Sequence, residues 1–155
     1  MCKNQDSVMI SKTFRESTMM DFHQLPKVEL DFMNTEHQEA VDIYNKIERD
    51  YLLHDVDSVI NGILDIQEHC ISHFAHEEQV MKNNCYPPLQ VHKEAHDRVL
   101  MEIDMVVKQL KNHRDLSKIA HYIERGFPNW ISQHLNTMDK MAAEFISGQK
   151  LRKVG

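Results

Sequence analysis

Glycine and proline are scarce here, four of each in 155 residues. That excludes an all-β fold, which needs turn residues at every hairpin. No apolar run approaches the roughly 18 residues that a membrane-spanning helix requires. The amino-terminal MCKNQDSVMI lacks the apolar stretch of a secretory signal, so the expected location is the cytoplasm. Cys2, Cys70 and Cys85 are odd in number and show no CxxC spacing, so they read as reduced, unpaired thiols. A basic surplus is also missing. Lys and Arg number 18 against 24 Asp and Glu, the net charge is −6 and the pI is near 6.0. Nucleic acid and anionic membrane are therefore not expected partners. No internal repeat or low-complexity segment is present. The abundant residue is histidine, with 11 copies.

The stretch His73–His96, HFAHEEQVMKNNCYPPLQVHKEAH, holds a His and a Glu four apart (His73, Glu77), a Tyr-Pro-Pro break, and two His four apart (His92, His96). Residues four apart on a helix sit about 40° apart and roughly 6 Å along the axis, so each pair shares a face. Imidazoles and carboxylates turned inward from two helices are a way to build a metal site inside a bundle.

The rest of the chain supplies the other helices. Residues 1–30 show no sustained period and read as an arm. Thr35 and Gln38 fit a capping box for a first helix with the stripe Ala40, Val41, Tyr44, Ile47 and Tyr51, and His37 faces the same way. A second helix is expected from an N-cap at Asp57 to about Asn83, its stripe carrying His73 and Glu77 into the core. A third, from Pro88 to about Asn112, repeats Leu89, His92, His96, Val99, Ile103, Val106 and Leu110 in steps of three and four. A fourth is expected from Leu116 to Ser147 and ends at Gly148. Gly126 and Pro128 interrupt it, and Trp130, His134, Met138, Met141 and Phe145 face inward. The fold class is all-α. Residues 31–150 form an antiparallel up-down-up-down four-helix bundle and residues 1–30 an amino-terminal arm. His76 and Glu78 are expected to point off the inner face. His69, four before His73, is expected to be exposed, the alternative being a place behind the ligands, and His23, His54, His113 and His121 are expected to be solvated. The ten Met are adaptable core filling.

EHQ at 36–38, HFxxEExxM at 73–81, YPxxxxHxxxH at 86–96 and WxxxHxxxxD at 130–139 resemble, in order and spacing, the hemerythrins, and among them the single-domain bacterial members. The resemblance covers about residues 26–147. It implies two Fe ions. One would take His92, His96 and His134, the other His37 and His73, with Glu77, Asp139 and an oxo or hydroxo group bridging both. One position, open for O2, remains on the second iron. The matching pocket positions are Ala40, Phe74, Trp130, Ile131 and Leu135, and Ala40 stands where the family commonly carries leucine, implying a roomier pocket.

The donor set suits iron and needs no thiolate. Five neutral imidazoles, two carboxylates, two Fe(II) and a hydroxide sum to +1. Electron and proton transfer to O2 inside the site leaves that sum unchanged, so no charge crosses a low-dielectric interior. His134 and Asp139 are five apart, which a regular α-helix would place about 140° apart. A wider i→i+5 turn is therefore expected between them.

The resemblance implies a binding protein rather than an enzyme, carrying, storing or delivering dioxygen. The alternative is an O2, NO or redox sensor that acts in trans through the same centre. A ferritin-like di-iron oxidase would want a Glu on each of two helices and Glu-x-x-His on each of the others. HxxxE and HxxxH stand here instead.

Overall fold

The computed structural model describes residues 25–152. The expectations for most of the arm, including His23 and Cys2, lie outside the described residues. Helix α1 spans Asp31–Leu52, α2 Val56–Asn83 and α3 Leu89–His113. A fourth rod is assembled from shorter pieces: a 3-10 turn at Leu116–Ile119, a π turn at Tyr122–Gly126, α4 at Phe127–His134, a second π turn at Leu135–Asp139, and α5 at Lys140–Arg152. The described residues contain no strand, and the four rods pack as an all-α four-helix bundle. Its neighbours are antiparallel because the connections are short.

Each connection is closed by local hydrogen bonds. His54, Cys85 and Arg114 take positive φ after α1, α2 and α3 respectively. The Asn84 side chain donates to the Val80 carbonyl at 2.8 Å, and the Tyr86 N–H donates to the Met81 carbonyl at 3.0 Å. Arg114, just after α3, pairs with Asp57 in the first turn of α2 at 2.9 Å.

Several helix ends differ from expectation. Helix α1 begins one turn before Thr35, with Leu30 at its N-cap and no side-chain cap. The Thr35 hydroxyl instead donates back to the Asp31 carbonyl. The entry is held by Asn34, which accepts the Val28 N–H at 3.0 Å and donates to the Val28 carbonyl at 2.8 Å. Asp55, not Asp57, caps α2 by accepting the Ser58 N–H. Gly148 does not end the fourth rod. It lies inside α5 with no positive φ, and a lone helical glycine costs only about 1 kcal/mol.

The larger correction concerns which side of α5 faces in. Asp139, Ala142, Ala143 and Ile146 are buried, whereas Met141 is exposed and Met138 and Phe145 are only partly covered. The π turn at Leu135–Asp139 adds one residue to the rod, so every inward position after it moves on by one.

Two apolar clusters fill the interior. One is built on Tyr44, Ile47, Ile63, Val99, Ile103, Leu110, Phe127 and their neighbours. The other is built on Val28, Leu30, Met33, Met81, Tyr86, Ala142, Ala143 and Ile146. Every rod passes from one cluster to the other, and the residues it carries between them are polar.

Candidate metal centre

Among the described residues, the buried polar or charged side chains are His37, His73, Glu77, His92, His96, His134 and Asp139. All are 6 % exposed or less. They come from all four rods, at the level between the apolar clusters, and are the seven residues singled out from the sequence.

Their ligand atoms fall into two groups. Glu77, His92, His96, His134 and Asp139 form one, and His37, His73 and Glu77 the other, with the atoms of each within 4.8 Å of one another. Nε2 of His134 lies 3.1 Å from Nε2 of both His92 and His96. Nitrogens held about 2.1 Å from a common cation and at right angles would sit at roughly that separation. The carboxylates link the groups. Glu77 turns Oε1 to His73 at 3.1 Å and His37 at 3.8 Å, and Oε2 to His96 at 3.3 Å and His92 at 3.7 Å. Asp139 turns Oδ2 to His37 at 3.2 Å, and Oδ1 to His92 and His134 at 3.0 Å.

Asp139 reaches this face because of the π turn, the wider turn that its spacing from His134 demanded.

The protein alone does not satisfy these groups. Both nitrogens of His37, both oxygens of Glu77, Nδ1 of His92 and Oδ1 of Asp139 are buried without a well-aimed hydrogen bond. Leaving one buried charged group uncompensated costs several kcal/mol, so so many together call for cations. Imidazole nitrogens and carboxylate oxygens without thiolate fit iron, and the residues present thus fit the metal pair that the sequence pattern implies.

Electrostatics in the protein without metal point the same way. Burial opposes charge on Glu77 and Asp139, yet the imidazoles around them hold both well below the usual carboxylate range. Burial also disfavours the charged form of His73, but the Glu77 charge and hydrogen bonds to Glu77 and Glu36 outweigh it and push the ring up to about 9. His134 moves down through burial.

Beside the cluster is a cavity of about 20 Å3, enough for one water-sized molecule. Ala40, Phe74, Trp130, Ile131 and Leu135 all line it. His69, Cys70 and Phe127 line it too, and were not foreseen as pocket residues. Burial pushes the Cys70 thiol up to about 12, so it is no acid at neutral pH. Phe74 stacks on His96 with ring centroids 3.9 Å apart, and Trp130 on His134 at 4.6 Å.

Two carboxylates missed by sequence reasoning contact the cluster from outside. Glu36 accepts the His73 Nδ1–H at 2.5 Å, and Glu78 accepts the His96 Nδ1–H at 3.1 Å. Glu78 and His76 do point off the inner face as expected, but Glu78 reaches across to the neighbouring helix. His69 is not exposed. It is half-buried and donates from Nε2 to the Glu36 carbonyl at 2.9 Å. The only available signal was adjacency, since Glu36 precedes His37 and Glu78 follows Glu77. His54, His113 and His121 are exposed, as expected. No helix among the described residues is long and apolar enough to cross a membrane.

Comparison with known proteins agrees with this geometry. The family model "Hemerythrin HHE cation binding domain" matches residues 28–146. A bacteriohemerythrin of Aquifex aeolicus is 21% identical over 113 residues, covering 73% of this chain and 86% of the relative. One of Clostridium acetobutylicum is 22% identical over 116 residues, covering 72% and 88%. A third, of Ralstonia nicotianae, is 29% identical over 79 residues, covering 51% and 56%.

Proposed function

The chain belongs to the hemerythrin family, and on that footing we propose that it binds dioxygen reversibly, for carriage, storage or delivery, at a non-haem di-iron centre. One observation supports this above the others: Glu77 and Asp139 each turn one oxygen to one group of imidazoles and the other oxygen to the second group. Two carboxylates so placed suit two cations.

In this reading His92, His96 and His134 would hold one iron and His37 and His73 the other, with Glu77 and Asp139 shared between them. The second iron then has one imidazole fewer, and His37 and His73 are also the ligands that line the cavity together with Asp139 and His134. Bound there, a ferrous pair would supply the two electrons and the open position that O2 requires. The chain's own residues do the rest. Phe74 and Trp130 hold His96 and His134 by stacking. Ala40, Ile131 and Leu135 keep the cavity apolar and small. The apolar side chains of that wall, and a Cys70 thiol pushed up to about 12, offer no acid to reduced oxygen.

Elemental analysis of the purified protein should find two irons per chain. An O2-dependent visible charge-transfer band should appear in air, vanish on removing oxygen and return. Rapid conversion to a stable diferric form would favour the redox-sensor alternative, and sustained turnover of an added reductant would point to catalysis.

A further inference from the structure

Glu36 stands outside the cavity yet fixes three imidazoles on successive turns of α2. Its Oε2 accepts the His73 Nδ1–H at 2.5 Å and its Oε1 accepts the His76 Nδ1–H at 2.7 Å. Its backbone carbonyl accepts the His69 Nε2–H at 2.9 Å. A carboxylate can only accept here, so the Nδ1 of His73 carries the proton and its Nε2 is free to face Glu77 and the cavity.

The other half of the site is backed differently. Glu78 accepts from His96, but its second oxygen lies 3.5 Å from the Lys93 ammonium. Lys93 also pairs with Asp97 at 2.9 Å. Among the described residues no Lys or Arg pairs with Glu36. The negative charge behind His96 is shared with a cation, while among the described residues the charge behind His73 faces imidazoles. His37, on the same side as His73, has neither ring nitrogen well bonded. Of the two imidazoles on that side, only His73 has its orientation set by a partner outside the cluster.

We infer that Glu36 is a positioning residue for the His37–His73 half of the centre, setting that half's metal affinity and reduction potential through the Nδ1–H of His73. The inference rests on the di-iron reading above. A carboxylate on the far nitrogen fixes the tautomer, makes the ring a stronger donor and stabilises the higher charge state of the metal. The iron on which the pocket opens would then be the one whose donor strength Glu36 controls.

The test is an anaerobic titration of ferrous iron into the full chain, the Glu36→Gln variant and a Glu39→Gln control. Stoichiometry, the two affinities, the midpoint potential and the helical circular dichroism are read for each. Glu39 is a fair control because it is exposed and only 3.8 Å from His69. The expected result is two irons in the wild type, and in Glu36→Gln one site weakened by about ten- to hundredfold. The midpoint potential should rise, with Glu39→Gln matching the wild type. If Glu36→Gln does not fold, Glu36→Asp keeps the charge but draws it back from Nδ1, and the same loss at one site is expected. Wild-type affinities and potential in a folded Glu36 variant would overturn this inference and leave the di-iron reading intact. A wild type that binds no iron pair would overturn both.

Discussion

His134 and Asp139 are five residues apart in sequence and face one another across 3.0 Å, Nε2 to Oδ1. A regular helix would turn them about 140° away from each other. The π turn at Leu135–Asp139 takes up the extra residue, and the rod resumes its α-helical ladder at Lys140. Deleting the exposed Thr137 should therefore restore an ordinary helix while keeping Ala142, Ala143 and Ile146 in the core. The expected outcome is a folded protein with a melting temperature at or above that of the metal-free wild type. Asp139 then stands four residues after His134, on the same face of a regular helix, so iron binding should survive the deletion. Thermal melts and iron titration check both halves.

Ala40 leaves open the cavity of about 20 Å3 beside His37 and His73. Replacing it with leucine puts three more carbons against that space. Ala40→Leu should cost about 1–3 kcal/mol of stability through overpacking. It should also slow both O2 exchange and autoxidation. Stopped-flow mixing and the decay of the oxygenated spectrum would measure these, and rates equal to wild type would show that Ala40 does not set access.

Titration of the cluster without metal gives a pH dependence with a definite sign. His73 is raised from its ordinary value near 6.5 to about 9, so its contribution to stability is full below 6.5 and is lost as pH rises through 9. Glu77 is lowered from 4.5, so its contribution is present above 4.5 and is lost as pH falls. The metal-free protein should therefore be most stable between those ordinary values and weaken toward pH ~9. Iron must displace the His73 proton, so the stabilisation it confers should grow over the same interval. Melting temperatures with and without iron at pH ~6 and ~9 would show a widening gap; a constant gap would contradict the assignment of His73.

Gly62 sits where α2 crosses α1. A Cβ built there would come within 2.6 Å of Ile47 Cγ1, and Ile47 is 1 % exposed. Gly62→Ala should thus lower stability despite the gain of about 1 kcal/mol in helix propensity. A net loss of about 1–2 kcal/mol is expected from the overlap. In an Ile47→Ala background the same change should become neutral or stabilising, which denaturant titration of the four proteins would test.

The polar interior was legible because α3 announces it: His92 and His96 stand on a seam that is otherwise Val99, Ile103, Val106 and Leu110. His73 and Glu77 follow from the same periodicity on α2. Asp139 was not available from periodicity, since its spacing breaks the helical rule; the family pattern supplied it. The inner face of α5 was misread for the same reason, because Met141 and Phe145 keep a phase that the π turn discards. Glu36 and Glu78 were missed because their positions are those of solvated residues, and only the approach of a second helix gives them imidazoles to hold. The start of α1 was placed a turn late, since Leu30 caps it without any side-chain signal.

The layering of the interior has a consequence for traffic. Hydrocarbon plugs the bundle above and below the seven polar residues, so neither end offers a lengthwise route to them. Among the described residues the cavity beside the cluster is lined from three rods, by Ala40, His69 and Trp130 among others, and so lies to the side of the cluster rather than along the bundle axis. The loops at either end of the bundle are therefore free to lengthen, or to carry attachments, without touching that cavity.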